Sequence, residues 1–366
     1  MAFHVPRSLL LPLLFAGAVA GAQAQPVRIG AILPLTGASA SIGEDQRRGI
    51  ELAVEQLNAA GGVLGRPFAV LIEDSGGRAP TALDAARKLA SVDRVPLVLG
   101  EYSSGISIPV GQYLVKEGIT HVNIGSSSPK IREIGATSFS VIGLDDVSAK
   151  FAAEDVRAAG HARAAFIAPN SAYGQGVAAE FKKNFEAAGG KVVAELLYTP
   201  GQSTYRRELQ QTARLQPDVY VYSAYGQEAA VINREAYDLA LNKTPWYGIY
   251  LTMCTTDTPA QIANGQLGME VGDIGPKGEG YRQAYRQKYQ EDLKSAYGSY
   301  AYDGVMLAAA AIARAGSAEP AGVLAAMAEV GKDFEAATGP IAFDADGQRA
   351  VQPYNRVRYQ DGVVAR

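Results

Sequence analysis

The chain reads as a mainly parallel α/β protein made of two units of similar size. Three observations predict this. Short apolar strands alternate with helix-length amphipathic segments, an order that forces crossover helices onto both faces of a parallel sheet. The rhythm stops and restarts near residue 160. At 366 residues the chain is too long for one compact core and comfortable for two.

The first unit opens with the apolar run Val27–Leu33, broken by Pro34-Leu-Thr-Gly37. The following segment places Ile50, Ala53, Val54 and Leu57 at the i, i+3, i+4, i+7 spacing of a helix packed on one face, and Gly61-Gly62 ends it. Phe68–Asp74 is the next strand and 81–90 a helix with Leu83, Ala86 and Leu89 or Ala90 inward. Leu97–Gly100 and residues 121–124 complete the unit's strands. The second unit repeats the pattern: strand 164–168, helix 176–188 closed by Gly189-Gly190, strand 192–197, helix 205–215, strand Val219–Tyr222, helix 227–241 and strand 246–251. Glycines and a proline crowd 265–280, where a crossing between the units is expected. A long apolar helix over 300–315 follows. Closing strands occupy 339–366, with a turn at Asp344-Ala-Asp-Gly347.

Residues 1–24 carry the features of a secretory signal peptide. Arg7 makes a positive start, 9–20 is an apolar core too short to span a bilayer comfortably, and Ala22-Gln-Ala24 fits the small-x-small cleavage rule. Cleavage after Ala24 and export to the periplasm are expected. Cys254 is the only cysteine, so no disulfide can form within the chain. No later stretch is apolar for long enough to span a membrane. A net charge of −3 offers no basic stripe for nucleic acid.

The most informative segments are two apolar strands that each run into a cluster of serines. One reads Pro96-Leu-Val-Leu-Gly-Glu-Tyr-Ser-Ser-Gly105 and the other His121-Val-Asn-Ile-Gly-Ser-Ser-Ser-Pro129. Such turns place backbone N–H groups and hydroxyls at the carboxyl edge of a parallel sheet, where open α/β folds bind ligands and where helix starts attract anions. Ser103 or Ser104 is also placed to cap the helix that follows. A carboxylate would take Ser104 Oγ and backbone N–H groups near Ser127. Tyrosine is abundant, 19 against 10 phenylalanines. Tyr102, Tyr173, Tyr225 and Tyr250 each fall at or just past a predicted strand end, where a flat ring with one hydroxyl can enclose a small organic solute.

Catalytic sets are harder to assemble. Beyond residue 24 the only histidines are His121 and His161, and no serine sits in a G-x-S-x-G elbow. No H-E-x-x-H, paired-cysteine or EF-hand pattern occurs, so no metal or other cofactor is expected. Gly174-Gln-Gly176-Val-Ala-Ala179 matches G-x-G-x-x-A, but Pro169–Tyr173 separates it from its strand, and a helix start that needs small residues is the better reading.

From residue 25 onward the chain resembles the periplasmic solute-binding proteins of ABC importers, specifically the branched-chain amino-acid (Leu/Ile/Val) group. The resemblance rests on Ile29-Gly-Ala-Ile-Leu-Pro-Leu-Thr-Gly37, Gly49-Ile-Glu-Leu-Ala53, Asn58-Ala-Ala-Gly-Gly62, Glu73-Asp74, Gly100 with Ser103-Ser104, Ser126-Ser-Ser-Pro129 and Tyr173-Gly174. It implies the type I periplasmic-binding fold: two doubly wound parallel-sheet lobes joined by a three-strand hinge. One lobe would be 25–144 plus 274–342 and the other 145–273 plus 343–366. It implies a monomer that closes over its solute, without chemistry, and delivers it to an inner-membrane permease. It places the family's carboxylate-binding serine on Ser104, beside Tyr102 and Ser103. The family's second hydroxyl loop falls on Gly125, Ser126 and Ser127, its second-lobe tyrosine on Tyr173 and a further aromatic on Tyr225. Where amino-acid binders carry an acid for the ammonium, after the strand at 246–251, this chain has Gly248-Ile-Tyr-Leu251 and no acid. Tyr250 would meet the ligand there. An amino acid and a non-amino carboxylate, an aromatic acid included, both remain open, with an amide or urea behind them. A sensor lobe or an exported enzyme is the alternative class.

Overall fold

The computed structural model describes residues 1–2, 25–224, 226–255, 257–271 and 275–365. Most of the expected signal peptide, the candidate site residue Tyr225 and the centre of the crossing expected at 265–280 lie outside the described residues.

Two large sheets, with one short two-stranded pair, organise the described residues. In chain order the first lobe contributes β1 (Val27–Leu33), α1 (Ala40–Ala59), β2 (Phe68–Asp74), α2 (Ala79–Arg87), β3 (Leu97–Gly100), α3 (Ser104–Lys116), β4 (Thr120–Asn123) and β5 (Ser138–Ser140). The second contributes α4 (Asp145–Ala158), β6 (Arg163–Pro169), α5 (Ala172–Ala187), β7 (Lys191–Tyr198), α6 (Arg206–Ala213), β8 (Val219–Tyr222), α7 (Gly226–Asp238), β9 (Trp246–Ile249), α8 (Leu251–Thr255), α9 (Ala260–Ala263) and β10 (Leu267–Val271). Then come α10 (Gly275–Tyr289), α11 (Tyr297–Ala315), α12 (Pro320–Val330), the short pair β11 (Phe334–Ala336) and β12 (Gly339–Ile341), and finally β13 (Tyr354–Gln360) and β14 (Val363–Ala365).

The first sheet is ordered β2-β1-β3-β4-β5 and all its pairings are parallel. The second is ordered β14-β13-β10-β9-β8-β6-β7, parallel from β7 to β10 and antiparallel at β13 and β14. The run β7-β6-β8-β9-β10 repeats the order of the first sheet, so each lobe is doubly wound with its own switch point. The strands are buried because helices cover both faces; Ile29, Ala31 and Leu33 of β1 and Leu97, Val98 and Leu99 of β3 are all fully buried. On α1, Ile50 and Ala53 enter the core while Val54 and Leu57 pack at its margin, the face their spacing predicts.

Several boundaries differ from the sequence reading for identifiable reasons. α2 starts two residues early because Pro80 suits a helix's first turn. α11 starts three residues early because Ser295 Oγ accepts the Tyr297 N–H at 3.1 Å. The strand expected over 246–251 stops at Ile249; Tyr250 turns the chain with φ 58° and α8 begins. The glycine-rich stretch at 265–280 contains a strand, β10, between β9 and β13. Gly268 permits it: a Cβ there would lie 2.4 Å from the Gly248 carbonyl oxygen of β9.

The third return between lobes also comes later than residue 343. Phe343 packs on Phe139 with ring centroids 5.2 Å apart, Arg132 pairs with Asp344 at 2.6 Å, and Gln348 bridges to Ser140 of β5. Residues 343–349 thus stay with the first lobe, and the chain passes to the second sheet over 350–353. The turn at Asp344–Gly347 forms as expected, with the Gly347 N–H donating to Asp344 O at 3.0 Å.

Candidate functional site

β3 and β4 are neighbours, so their serine-bearing turns meet at one sheet edge. The turn after β3 is held by Glu101. Its carboxylate accepts the Ser75 hydroxyl at 2.7 Å and the Ser103 N–H at 2.6 Å, and burial raises its pKa. Ser103 stands at the N-cap of α3 but its hydroxyl caps nothing; Glu101 takes over that work and leaves Ser103 Oγ free of the helix. Ser104 Oγ, at the first turn of α3, accepts the Ser128 N–H at 3.3 Å.

Asn123 builds the second turn. Its Oδ1 accepts the N–H groups of Gly125 (3.1 Å) and Ser126 (2.8 Å), and its Nδ2 donates to Ser126 O (2.6 Å) and Ser140 Oγ (2.9 Å). This is an Asx-turn locked by a side chain at the strand end. Ser126 is consumed by it: the hydroxyl meets Ser107 Oγ and the carbonyls of Glu101 and Tyr102, and the residue is fully buried. Ser126 therefore ties the two turns together beneath the site rather than facing into it. Gly125 and Ser127 do face into it.

The second lobe meets these turns from the opposite side. Ser171 caps α5 by accepting the Gly174 N–H at 3.2 Å, which presents Tyr173 at the switch point beside β6 and β8. The Tyr173 hydroxyl pairs with Ser223 Oγ just beyond β8. Gly174 and Gly176 are small for packing reasons, as the sequence suggests. A Cβ on Gly174 would lie 1.8 Å from Pro169 O, and one on Gly176 would lie 2.9 Å from Pro129 Cδ across the cleft. The lobes are in contact here, with Ser128 Oγ donating to Ala172 O at 2.9 Å.

Tyr102, Ser103, Ser104, Gly125 and Ser127 from the first lobe and Tyr173 from the second thus surround one cavity, completed by Met253 of α8 and Tyr297 of α11. The space between their atoms is about 280 Å3, of which about 20 Å3 can hold the centre of a water. Tyr102 and Tyr297 pack edge to face at 5.0 Å, and their hydroxyls reach Met253 Sδ at 3.5 and 3.6 Å. A solute must displace these groups or part the lobes to enter. Met253 and Tyr297 were not foreseen from the sequence, because α8 is a single turn after a strand and Tyr297 falls just before the helix read over 300–315.

Tyr250 does not line the cavity. It is buried behind it, with its hydroxyl 3.2 Å from that of Tyr354 on β13. Two buried acids lie nearby. Asp145, at the start of α4, has its pKa raised well above the ordinary carboxylate range by burial. Glu270, at the end of β10, accepts the Thr252 N–H at 2.6 Å and is pushed up to about 7 by burial. It lines a larger open cleft together with Arg282, Ser299 and Thr338, and its charge acts on Tyr297. His121 is fully buried on β4, with Nδ1 2.8 Å from Ser138 Oγ and Nε2 against Gly100 O; burial lowers its pKa to about 4. It is a neutral packing residue. No cluster of three or more metal-ligating side chains occurs among the described residues, and no helix among them is long and apolar enough to cross a membrane.

A family profile described as periplasmic binding protein matches residues 26–363. The Leu/Ile/Val-binding protein BraC3 of Rhizobium johnstonii is 28% identical over 343 residues, 92% of this chain and 93% of its own. Among solved structures, the branched-chain amino acid transporter substrate binding protein LivJ of Streptococcus pneumoniae, in complex with isoleucine, has the same fold. Its TM-score is 0.83 at 23% identity, over 93% of this chain and 98% of that one. A solute binding protein of R. palustris in complex with benzoate gives a TM-score of 0.81 at 20% identity, over 93% and 95% of the two chains.

Proposed function

The chain belongs to the periplasmic binding protein family, and from that premise we propose that it captures a small hydrophobic α-amino acid for an inner-membrane ABC permease. The observation that carries this reading is convergence. Two serine turns at one sheet edge and a tyrosine at the opposite lobe's switch point surround a single cavity between the lobes, which parting of the lobes would open to a solute. Ser104 Oγ, Ser127 and the start of α3 would hold the carboxylate, where the helix dipole favours a negative charge. Tyr102, Tyr297 and Met253 would take the side chain. Closure is a population shift, because only the closed arrangement lets one solute touch both lobes. The protein works by binding alone, as a monomer, after cleavage following Ala24. The Leu/Ile/Val-binding relative supports the amino-acid class.

A second reading, a non-amino carboxylate, is favoured by one feature. No acidic side chain is among the described residues lining the cavity, and tyrosine stands where an acid would pair the ammonium. The benzoate-bound relative in fold binds such a solute. Titration calorimetry on refolded, solute-free protein separates the two. L-leucine, L-isoleucine or L-valine should bind and release heat. Binding of benzoate or 4-methylpentanoate alone would transfer the site to the second reading, and binding of none of the five would sink both.

A further inference from the structure

We infer that Asp145, the buried acid where the chain enters the second lobe, supplies the counter-charge for the ligand's ammonium that Tyr250, directly after β9, lacks. The inference rests on the amino-acid reading of the site. Asp145 is fully buried at the first turn of α4. Its N–H donates to Ser127 O at 2.7 Å, which fixes it directly behind a cavity-lining residue. Ser148 Oγ donates to Oδ1 at 3.2 Å and the Ser127 hydroxyl stands beside the carboxyl, while Oδ2 is buried without a hydrogen-bond partner.

The charges that act on this carboxyl most strongly are themselves acidic, Asp146 on α4 and Glu180 on α5. Arg132, the basic group paired with the adjacent Asp146, is also committed to Asp344 and Asp346. The other titratable groups that feel Asp145 are phenols: Tyr173 on α5, Tyr250 after β9 and Tyr354 on β13. A buried acid with an orphaned oxygen and no cation is a costly arrangement unless a cation arrives. Tyr173 and Ser127 both border the cavity, so a ligand ammonium lodged between them arrives next to Asp145. In the unliganded site burial favours the protonated carboxyl over the carboxylate. Pairing with an ammonium favours the carboxylate, and its proton passes to solvent.

Calorimetry on the full-length mature protein tests this with L-leucine and with 4-methylpentanoate, which is leucine without its amine. Asp145→Asn should weaken leucine binding by about 30-fold or more and leave 4-methylpentanoate binding within about twofold. In the unaltered protein, leucine binding in phosphate and in Tris should differ in heat by the uptake of a released proton, and 4-methylpentanoate binding should not. This second measurement needs no variant and serves if Asp145→Asn fails to fold. Equal leucine affinity in the variant, or no buffer dependence in the unaltered protein, overturns the inference and leaves the amino-acid reading standing. Failure of the unaltered protein to bind any branched-chain amino acid removes that reading and the inference with it.

Discussion

Ser104 Oγ accepts the Ser128 N–H across a long 3.3 Å contact, which leaves its own proton for a ligand carboxylate. Ser104→Ala should weaken binding by about 1–3 kcal/mol, the range for a hydrogen bond to a charged group. Calorimetric affinity checks this, and the urea midpoint should barely move because the Ser128 bond is weak. His121 makes a prediction of a different kind. Its folded pKa of about 4 lies below the ordinary 6.5, so the unfolded chain binds the proton more readily. The contribution of a neutral His121 is complete above pH 6.5 and is lost as pH falls toward 4, by up to about 3 kcal/mol. His121→Gln lacks that liability. Its stability deficit relative to the unaltered protein should therefore narrow between pH 6.5 and 4 in urea titrations, other groups cancelling between the two proteins. A deficit that is constant with pH would contradict a buried neutral imidazole.

At the scale of elements, the first turns of α3 and α5 decide whether the lobes can meet. Gly176 lies one turn into α5 and abuts Ser128 and Pro129 of the first lobe. Its second-lobe surroundings tolerate a side chain, and its first-lobe neighbours do not. Gly176→Val should fold normally but penalise closure by about 1–3 kcal/mol of overpacking. Affinity should drop, and the ligand-induced contraction seen by small-angle scattering should shrink. Normal contraction in the variant would mean that closure does not bring α5 against Pro129. Gly174 differs because its obstacle, Pro169 O, belongs to the same lobe, so a side chain there strains β6–α5 packing whether or not the lobes are closed.

For the whole molecule, the crossings hold the two sheets in register. Arg349 is fully buried where the chain prepares to return to the second lobe. Its guanidinium donates to Val141 O at 2.9 Å on the first crossing and to Thr338 O and Pro340 O at 2.7 and 2.9 Å. Gln352 Oε1 accepts the Gly143 N–H at 2.6 Å, joining the first and third crossings again. Arg349→Met keeps most of the volume but strands these carbonyls, and each buried unpaired acceptor costs about 1–3 kcal/mol. A loss of about 3 kcal/mol or more should appear in urea unfolding. A midpoint unchanged from the unaltered protein would mean that the crossings are held by packing alone.

The sequence by itself determined the strands, most helix faces and the sheet edge that carries the site. Apolar periodicity and glycine or proline punctuation are local signals, and Val27–Leu33, Phe68–Asp74, Leu97–Gly100 and Val219–Tyr222 form as strands between the residues their patterns mark. The two serine turns were legible for the same reason, since each follows its own strand directly. Which serine faces the cavity was not legible: Ser126 and Ser127 are adjacent and chemically identical, and only the Asx-turn of Asn123 turns one inward and the other outward. Tertiary structure alone decided the rest. It brought Met253 and Tyr297 to the cavity from segments far apart in the chain, set Tyr250 behind it against Tyr354, and kept 343–349 with the first lobe through Phe139 and Ser140. Those outcomes depend on contacts between residues separated by whole elements, and such contacts leave no periodic trace in the chain.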